Sequence, residues 1–203
     1  MLWLILSVLL WGFLHSLLAS LEIKDLARRR LGERFMRFYR LAYNLFAGLT
    51  FLPALILAAL TPDRQLYLVP LPWSALMVFG QGLAVVALVV GFLQSDPAEF
   101  LGLKQAAGPL TARGGELIVS GLYRYVRHPL YTGGLAFIWL MPLMTTHVLA
   151  INIGLTLYIV AGAWFEERKL LREFGEQYSR YQSVTPMLIP FLKGNKRGGS
   201  ASK

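Results

Sequence analysis

The chain of 203 residues is 56% hydrophobic and only 15% charged, with a mean hydropathy of +0.52, which excludes an ordinary soluble domain and favours an integral-membrane protein. The formal net charge of +9 does not indicate nucleic-acid binding, because the basic residues lie between apolar segments rather than on one soluble face. The absence of cysteine excludes disulfides, thiolate metal sites and a cysteine nucleophile, and no other metal site is expected.

Apolar segments recur along the chain at lengths that suit membrane crossing, for which a helix needs about 20 apolar residues. The predicted spans are 1–20, 41–60, 73–93, 129–145 and 148–165. The last two are predicted to form a helical hairpin, because the apolar stretch is too long for one crossing and is interrupted near Pro142. The sequence therefore predicts an all-α polytopic fold with about five transmembrane helices in one domain covering 1–203.

The distribution of positive charge predicts the orientation of these spans. Placing alternate loops on opposite sides puts 19 of the 20 Lys and Arg, all except Arg64, on one face. The positive-inside rule assigns that face to the cytoplasm, with the N-terminus outside and the C-terminus inside. A site built from the loop before the fourth span and from the C-terminal segment is then cytoplasmic.

Polar residues crowd the start of the fourth span, within 121–134. Pro129 suits the first turn of a helix and disfavours helical backbone at His128, so His128 is expected just outside the helix. Free backbone amides and the positive end of the helix dipole, together with Arg124 and Arg127, favour an anionic ligand group here. The alternative is that Arg127 and His128 only anchor the helix in the headgroup layer.

Two carboxylates, Glu166 and Glu167, follow directly after the fifth span. Acidic groups at the end of an apolar span are costly to desolvate and often mark a pathway or a ligand site. Apolar residues in 167–181 recur with helical spacing, which predicts an amphipathic helix along the cytoplasmic membrane face. Within that helix, Glu176 and Arg180 are spaced for an i, i+4 ion pair.

The motifs of the C-terminal half occur in a recognisable order. They are an Arg-His-Pro-x-Tyr-x-Gly run from Arg127 to Gly133, the predicted hairpin, the pair Glu166 and Glu167, and a tail from Phe174 to Tyr181 that leads to Ile189 and Pro190. This ordered set, which extends over about 70 residues, resembles the isoprenylcysteine carboxyl methyltransferase and phospholipid N-methyltransferase superfamily of integral-membrane enzymes.

The N-terminal half resembles a narrower branch of that superfamily. The segments 11–20, 39–44 and 100–105 are similar to those of the methanethiol S-methyltransferases and the related NnrU-like membrane proteins. This bacterial branch implies a small thiol or similar soft nucleophile as methyl acceptor and a bacterial inner membrane as the location. The superfamily alone leaves open a prenylated thiol carboxylate, an amine headgroup or an isoprenoid, each met at the membrane lipid.

The resemblance implies S-adenosylmethionine as methyl donor, with S-adenosylhomocysteine as product and the cofactor region in 121–190. The cofactor-binding residues that it implies are Tyr123, Arg127, His128, Pro129, Tyr131, Gly133, Glu166, Glu167 and Tyr178. The catalytic candidates are Glu167, as a carboxylate facing the cationic end of the donor, and Arg180, which with Tyr178 brings the amphipathic segment over the site as a lid. The base that deprotonates a thiol acceptor stays open among His128, the two glutamates and water.

Two other classes of function are also consistent with these motifs. One is a haem-binding NnrU-like isomerase or a membrane reductase, and the haem protein would need an axial histidine such as His15. The other is a non-enzymatic membrane subunit in which the glutamates and histidine only stabilise helix packing.

Some polar or small residues lie apart from these motifs. His15 is the one ionisable group of the first span, for which both a hydrogen-bonded structural role and a functional role are open. His147 is expected to be a solvated residue at the hairpin tip, and Gly80 and Gly82 are expected to pack helices closely. The basic tail 191–203 is expected to be disordered and attracted to anionic lipid.

Overall fold

The computed structural model describes residues 2–108 and 117–192. In chain order the elements are α1 (Leu2–Ala19), α2 (Leu21–Leu60), β1 (Gln65–Leu68), α3 (Trp73–Gln94), α4 (Pro97–Leu101), α5 (Leu103–Ala107), a 3₁₀ turn (Gly121–Arg124), α6 (Pro129–Trp139), β2 (Leu143–Thr145) and α7 (Thr146–Val184). The predicted all-α polytopic fold is confirmed, with one small addition in the two strands. Most of the basic tail, residues 193–203, lies outside the described residues.

Among the residues that the structure describes, four helices are long and apolar enough to cross a membrane, namely α1, α2, α3 and α7. Their apolar side chains are largely exposed in the isolated chain, as for Leu10, Phe79 and Leu83, which are 60%, 64% and 56% exposed. Only a bilayer removes so much apolar surface from water, so the chain is a membrane protein.

The two longest helices, α2 and α7, each combine an apolar span with a polar segment, and in each the polar segment contains a break at a glycine. Gly32 interrupts α2 with φ 78°, and Gly175 interrupts α7 with φ 54°. The basic segment before the second predicted span is therefore helical from Leu21, where the Ser20 side chain caps the helix by accepting from the Ile23 amide at 3.3 Å. The amphipathic segment predicted after the fifth span is a continuation of α7, bent at Gly175.

The fourth predicted span, 129–145, is only partly helical. Helix α6 ends at Trp139, and the chain continues through Pro142 into β2, which pairs antiparallel with β1. Helix α6 starts beside Glu167 and β2 ends beside Asp63, which also contacts the start of α7, so residues 129–145 extend between the same two levels as the apolar part of α7. The 11 residues of α6 rise roughly 16 Å and the three residues of β2 roughly 10 Å.

The long helices and α6 pack in two groups. Helix α1 packs on α2 and α7, whereas α6 packs mainly on α3 rather than on its hairpin partner α7. Glycines permit the close approaches, since a Cβ on Gly12 would lie 2.5 Å from the Tyr158 ring and one on Gly133 would lie 3.0 Å from Leu88. A Cβ on Gly80 would lie 2.9 Å from a Leu140 methyl, whereas Gly82 has nothing within 4 Å.

The hairpin tip is tied to the loop after α2. Asp63 Oδ1 accepts from the His147 amide at 3.0 Å and from the Thr146 hydroxyl at 2.7 Å. His147 is only 7% exposed, and its Nε2 lies 3.2 Å from the Thr61 hydroxyl. The prediction of a solvated His147 was therefore wrong, because the loop from a sequence-distant helix folds over it.

Candidate functional site

The most heavily hydrogen-bonded group of the site is Glu167. Its carboxylate accepts from Arg127 Nε at 2.8 Å and Nη2 at 2.6 Å, and His128 Nε2 lies 2.8 Å from it. It also accepts from the Tyr178 hydroxyl and the Gln182 amide, each at 2.6 Å. We call these five residues the Glu167 cluster. Because every lone-pair direction of the carboxylate is used inside the protein, Glu167 holds α6 and α7 together rather than facing a ligand.

The charge of Glu167 is fixed by these contacts. Glu167 lies beyond the apolar part of α7 and its side chain is 9% exposed. Burial alone raises the pKa of its carboxyl, but hydrogen bonds from His128, Arg127, Tyr178 and Gln182 outweigh burial and hold that pKa well below its usual range. The Arg127–Glu167 pair is therefore ionised at neutral pH.

A C-terminal strap, residues 185–188, fixes the start of α6. The amides of Arg127 and His128 donate to the carbonyls of Pro186 at 2.9 Å and Met187 at 3.2 Å. The Thr132 hydroxyl donates to the Leu188 carbonyl at 2.6 Å. The expectation that the amides at the helix start are free to bind an anion therefore does not hold for residues 127 and 128, because the strap occupies them.

Glu166 has a different environment from its neighbour. Its side chain is 43% exposed, accepts from the Tyr131 hydroxyl at 2.8 Å and lies 3.6 Å from His128 Nδ1. The His128 and Tyr131 rings stack with centroids 5.3 Å apart. Among the described residues, no Lys or Arg forms an ion pair with Glu166, since Arg127 is taken by Glu167.

Glu166 lines a cavity of about 660 Å³ between the two helix groups. Lining side chains come from α1 (His15), α2 (Arg40, Tyr43), the 3₁₀ turn (Tyr123), α6 (Tyr131) and α7 (Tyr158). Burial raises the pKa of Tyr123, and the Glu166 charge raises it further, so this phenol is neutral at physiological pH. The volume lies within the range of about 300–1,000 Å³ typical of small-molecule and cofactor sites.

The sequence-predicted residues divide into those that line this cavity and those that do not. The lining residues are Tyr123, Arg127, His128, Pro129, Tyr131, Glu166 and Tyr178. Glu167 is buried behind them, and Gly133 is buried against Ala84 and Leu88 of α3, where close helix packing explains the glycine. Arg180 is 79% exposed and pairs with Glu176 at 2.7 Å on the outer surface, so it faces a separate groove.

Sequence reasoning missed the contribution of the N-terminal half to this cavity. Tyr43 and Tyr158 lie in apolar runs, and a buried tyrosine needs a hydrogen-bond partner, which is the signal that points to them. Arg40 ends the basic part of α2 and packs closely against Gly102 (φ +87°), where an added Cβ would lie 2.9 Å from the Arg40 Cβ.

Comparison with known proteins gives consistent matches. Residues 75–177 match the family model described as phospholipid methyltransferase. A methanethiol S-methyltransferase of Pseudomonas sp. (strain GM41(2012)) is 33% identical over 201 residues, covering 91% of this chain and 74% of the relative. One from Pseudomonas deceptionensis is 38% identical over 125 residues, covering 60% and 46%.

A more distant match is the protein-S-isoprenylcysteine O-methyltransferase of Homo sapiens, 32% identical over 88 residues that cover 39% of this chain and 29% of the relative. The chain spans less than half the length of several of these curated relatives. No solved structure matches it.

Proposed function

The chain belongs to the phospholipid methyltransferase family, as its motifs indicated, and from this premise we propose that it is an integral-membrane enzyme that transfers a methyl group from S-adenosylmethionine to a small or lipophilic acceptor. The cavity beside Glu166 is the proposed site. The names of the matched proteins favour this function over the haem isomerase, reductase and structural alternatives.

The observation that carries the proposal is the pair of unequal carboxylates. Glu167 is neutralised inside the protein by Arg127. The half-exposed Glu166 lies on the cavity wall, 2.8 Å from the Tyr131 hydroxyl and 3.6 Å from His128 Nδ1, and among the described residues no Lys or Arg pairs with it. A carboxylate in this position favours a cationic ligand, because a ligand that fills the cavity displaces the water that would otherwise screen the attraction. S-Adenosylmethionine carries such a cation in its sulfonium group and a second in its ammonium group.

The residues present fit the donor. Glu166 would face its cationic groups, with the phenols of Tyr131 and Tyr123 packing or donating beside it. Arg40 is the lining cation outside the Glu167 cluster, and it would receive the donor carboxylate. Bound there, the donor supplies an electrophilic methyl group, so that the transfer is a single in-line displacement.

The protein contributes to such a displacement mainly by alignment and by excluding water. The Glu167 cluster and the C-terminal strap hold α6 against α7, which fixes the positions of Tyr131 and Glu166 relative to each other. No covalent enzyme intermediate is needed.

The proposed acceptor is a thiol, with an isoprenylcysteine-type carboxylate as the second choice. Methanethiol and isoprenylcysteine are the acceptors that the names of the relatives give. The cavity is also lined by Tyr43 and Tyr158, an aromatic surface that suits a small soft nucleophile. An apolar acceptor would reach the cavity from the lipid side, and full activity with strictly water-soluble acceptors only would contradict this route.

For the orientation we retain the N-terminus outside, with the cavity and the C-terminus in the cytoplasm of a bacterial cell. The ties between Asp63 and the start of α7 then lie on the outer side and the Glu167 cluster on the inner side. This places the cavity where a nucleoside-containing donor is available.

The test is calorimetric binding of S-adenosylmethionine and S-adenosylhomocysteine to the detergent-purified chain, followed by transfer of labelled methyl to thiols. Glu166→Gln removes the charge but keeps the shape, and is expected to weaken S-adenosylmethionine binding about 10-fold or more. Glu176→Gln is the matched control, because it makes the same change ten residues later on an exposed surface. Absence of donor binding by the folded wild-type chain would refute the proposal, and a haem absorbance band would then favour the isomerase.

A further inference from the structure

Two polar side chains on the cavity wall form a contact that the function proposed so far does not use. His15 of α1 and Tyr43 of α2 lie with the Tyr43 hydroxyl 2.5 Å from His15 Nε2. Both line the same cavity as Glu166. The pair therefore joins two helices at the site rather than at a remote helix contact.

The surroundings of His15 leave it chemically unused. Its ring stacks on Trp11, with centroids 5.3 Å apart, and meets the edge of Tyr158 at 5.9 Å. Nδ1 is shielded from solvent and has no hydrogen-bond partner among the described residues. Buried polar groups with a purely structural role are usually satisfied, so this ring calls for another explanation.

The other histidine of the cavity is already committed. His128 lies 2.8 Å from Glu167 through Nε2 and forms part of the buried cluster. Among the described lining residues, His15 is then the imidazole that keeps capacity for a proton, through its contact with the Tyr43 hydroxyl. Imidazole is the side chain best suited to take and return a proton near neutral pH.

His15 and Tyr43 come from a different part of the sequence than the motif residues proposed to bind the donor. Tyr131 and Glu166 lie within the matched residues 75–177, whereas His15 and Tyr43 lie outside them. The side of the cavity proposed for the donor therefore comes mainly from the family region, with Arg40 added from α2, whereas the His15–Tyr43 pair comes only from the two N-terminal helices.

We propose that Tyr43 and His15 form the acceptor side of the site and deprotonate a thiol. This inference rests on the proposed methyltransferase function. The Tyr43 oxygen takes the S–H proton of the thiol while its own phenolic proton passes to His15 Nε2, giving an imidazolium that later releases the proton to water. The acceptor sulfur forms its bond to the methyl carbon, and the electron pair of the broken sulfonium bond stays on the donor sulfur.

The chemistry of thiols explains why such a pair is needed. The thiolate, not the thiol, is the nucleophile, and an ordinary thiol is largely protonated near pH 7. A proton acceptor fixed on the cavity wall beside the thiol makes the thiolate available at the moment of transfer. Tyr43 is the group that touches the acceptor, and His15 acts through it.

The experiment compares two acceptors of similar size, ethanethiol and the more acidic 2,2,2-trifluoroethanethiol, at one pH in the full-length chain. Tyr43→Phe keeps the ring and removes only the hydroxyl. We expect its kcat/KM to fall about 100-fold with ethanethiol, as for loss of a general base, and less than about 10-fold with the acidic thiol, which needs less assistance.

Two further variants control for structural effects. Tyr39→Phe removes a hydroxyl one turn earlier on α2, where it donates to the Leu18 carbonyl at 2.6 Å outside the cavity lining. Its activity should be lowered equally, if at all, with both thiols. His15→Gln should reproduce the thiol dependence of Tyr43→Phe, and the double variant should lose no more than either single one, because both changes interrupt one relay.

Donor binding distinguishes the failure of this inference from the failure of the proposed function. Tyr43→Phe and His15→Gln should bind S-adenosylhomocysteine within about 2-fold of wild type, because neither change alters Glu166 or Arg40, the charged residues proposed to bind the donor. Equal losses with both thiols, or full activity of Tyr43→Phe with ethanethiol, would overturn the relay while leaving the methyltransferase intact. A wild-type chain that neither binds the donor nor methylates any thiol would overturn both.

Discussion

Replacing Glu167 by glutamine tests whether the buried cluster holds the fold together. The substitution keeps the size of the side chain but removes its charge and turns one acceptor oxygen into a donor. Arg127 then lacks a counterion, although its guanidinium still donates to the carbonyls of Gln182 and Thr185. In the wild type the Tyr178 hydroxyl and the Gln182 amide donate to the two carboxylate oxygens, so the new side-chain NH₂ group of the variant faces at least one donor in place of an acceptor oxygen.

The magnitude follows from burial. The Arg127 and Glu167 side chains are each 9% exposed, so solvent screens the pair little. Removing one partner of a buried ion pair costs about 3–5 kcal/mol, and at 2–4 °C per kcal/mol for a chain of this size the unfolding temperature should fall by roughly 6–20 °C. Tryptophan fluorescence during heating in a fixed detergent measures this shift.

Two variants on the same helix calibrate the result. Glu176→Gln breaks an exposed pair with Arg180 and is expected to change stability by at most about 0.5 kcal/mol. Glu166→Gln keeps an acceptor for the Tyr131 hydroxyl and is expected to cost about 1 kcal/mol or less. If Glu167→Gln unfolds at the wild-type temperature, or if Glu166→Gln is the more damaging change, the assignment of structural and ligand-facing carboxylates is wrong.

Other parts of the structure give further expected outcomes. Partial desolvation raises the pKa of Asp63, but hydrogen bonds from the start of α7 hold it well below its usual range. The stabilisation is therefore complete above about pH 5 and is lost as the pH falls further, so Asp63→Asn should flatten the drop in unfolding temperature between about pH 5 and about pH 3. Gly102→Ala places a Cβ at φ +87° against the α2 backbone and should destabilise the chain by about 1 kcal/mol or more in the same thermal assay. Gly12→Ala would push the Tyr158 ring, 2.5 Å from the new Cβ, and should lower thiol turnover, whereas Gly48→Ala, with nothing within 4 Å, should leave it unchanged.

The parts of the fold that depend on hydropathy could be predicted from the sequence. The third predicted span begins at Trp73, as α3 does, because a long run of apolar residues that follows a proline predicts a helix starting at that point. The segment 129–145 was predicted to be one full helix, whereas its last three residues form β2. The sequence near β2 does not show that its hydrogen-bond partners come from β1, more than 70 residues earlier in the chain. The burial of His147 escaped prediction for the same reason.

The site shows a similar division. The motif residues His128, Tyr131 and Glu166 meet at one cavity, as their order suggested. The sequence could not decide which carboxylate of the Glu166–Glu167 pair is committed to Arg127, because adjacent helical positions differ by only 100° around the axis. Nor could it show the link from Tyr43 to His15, since pairing between separate helices leaves no local pattern.

The C-terminal strap separates membrane insertion from completion of the proposed site. Residues 186 and 187 supply the carbonyls that hold the amides of Arg127 and His128, and within the described residues all four long apolar helices precede them. A chain truncated after Val184 therefore keeps each of these helices but loses the strap. We expect such a chain to enter the membrane and to lack donor affinity, because the start of α6 is no longer held.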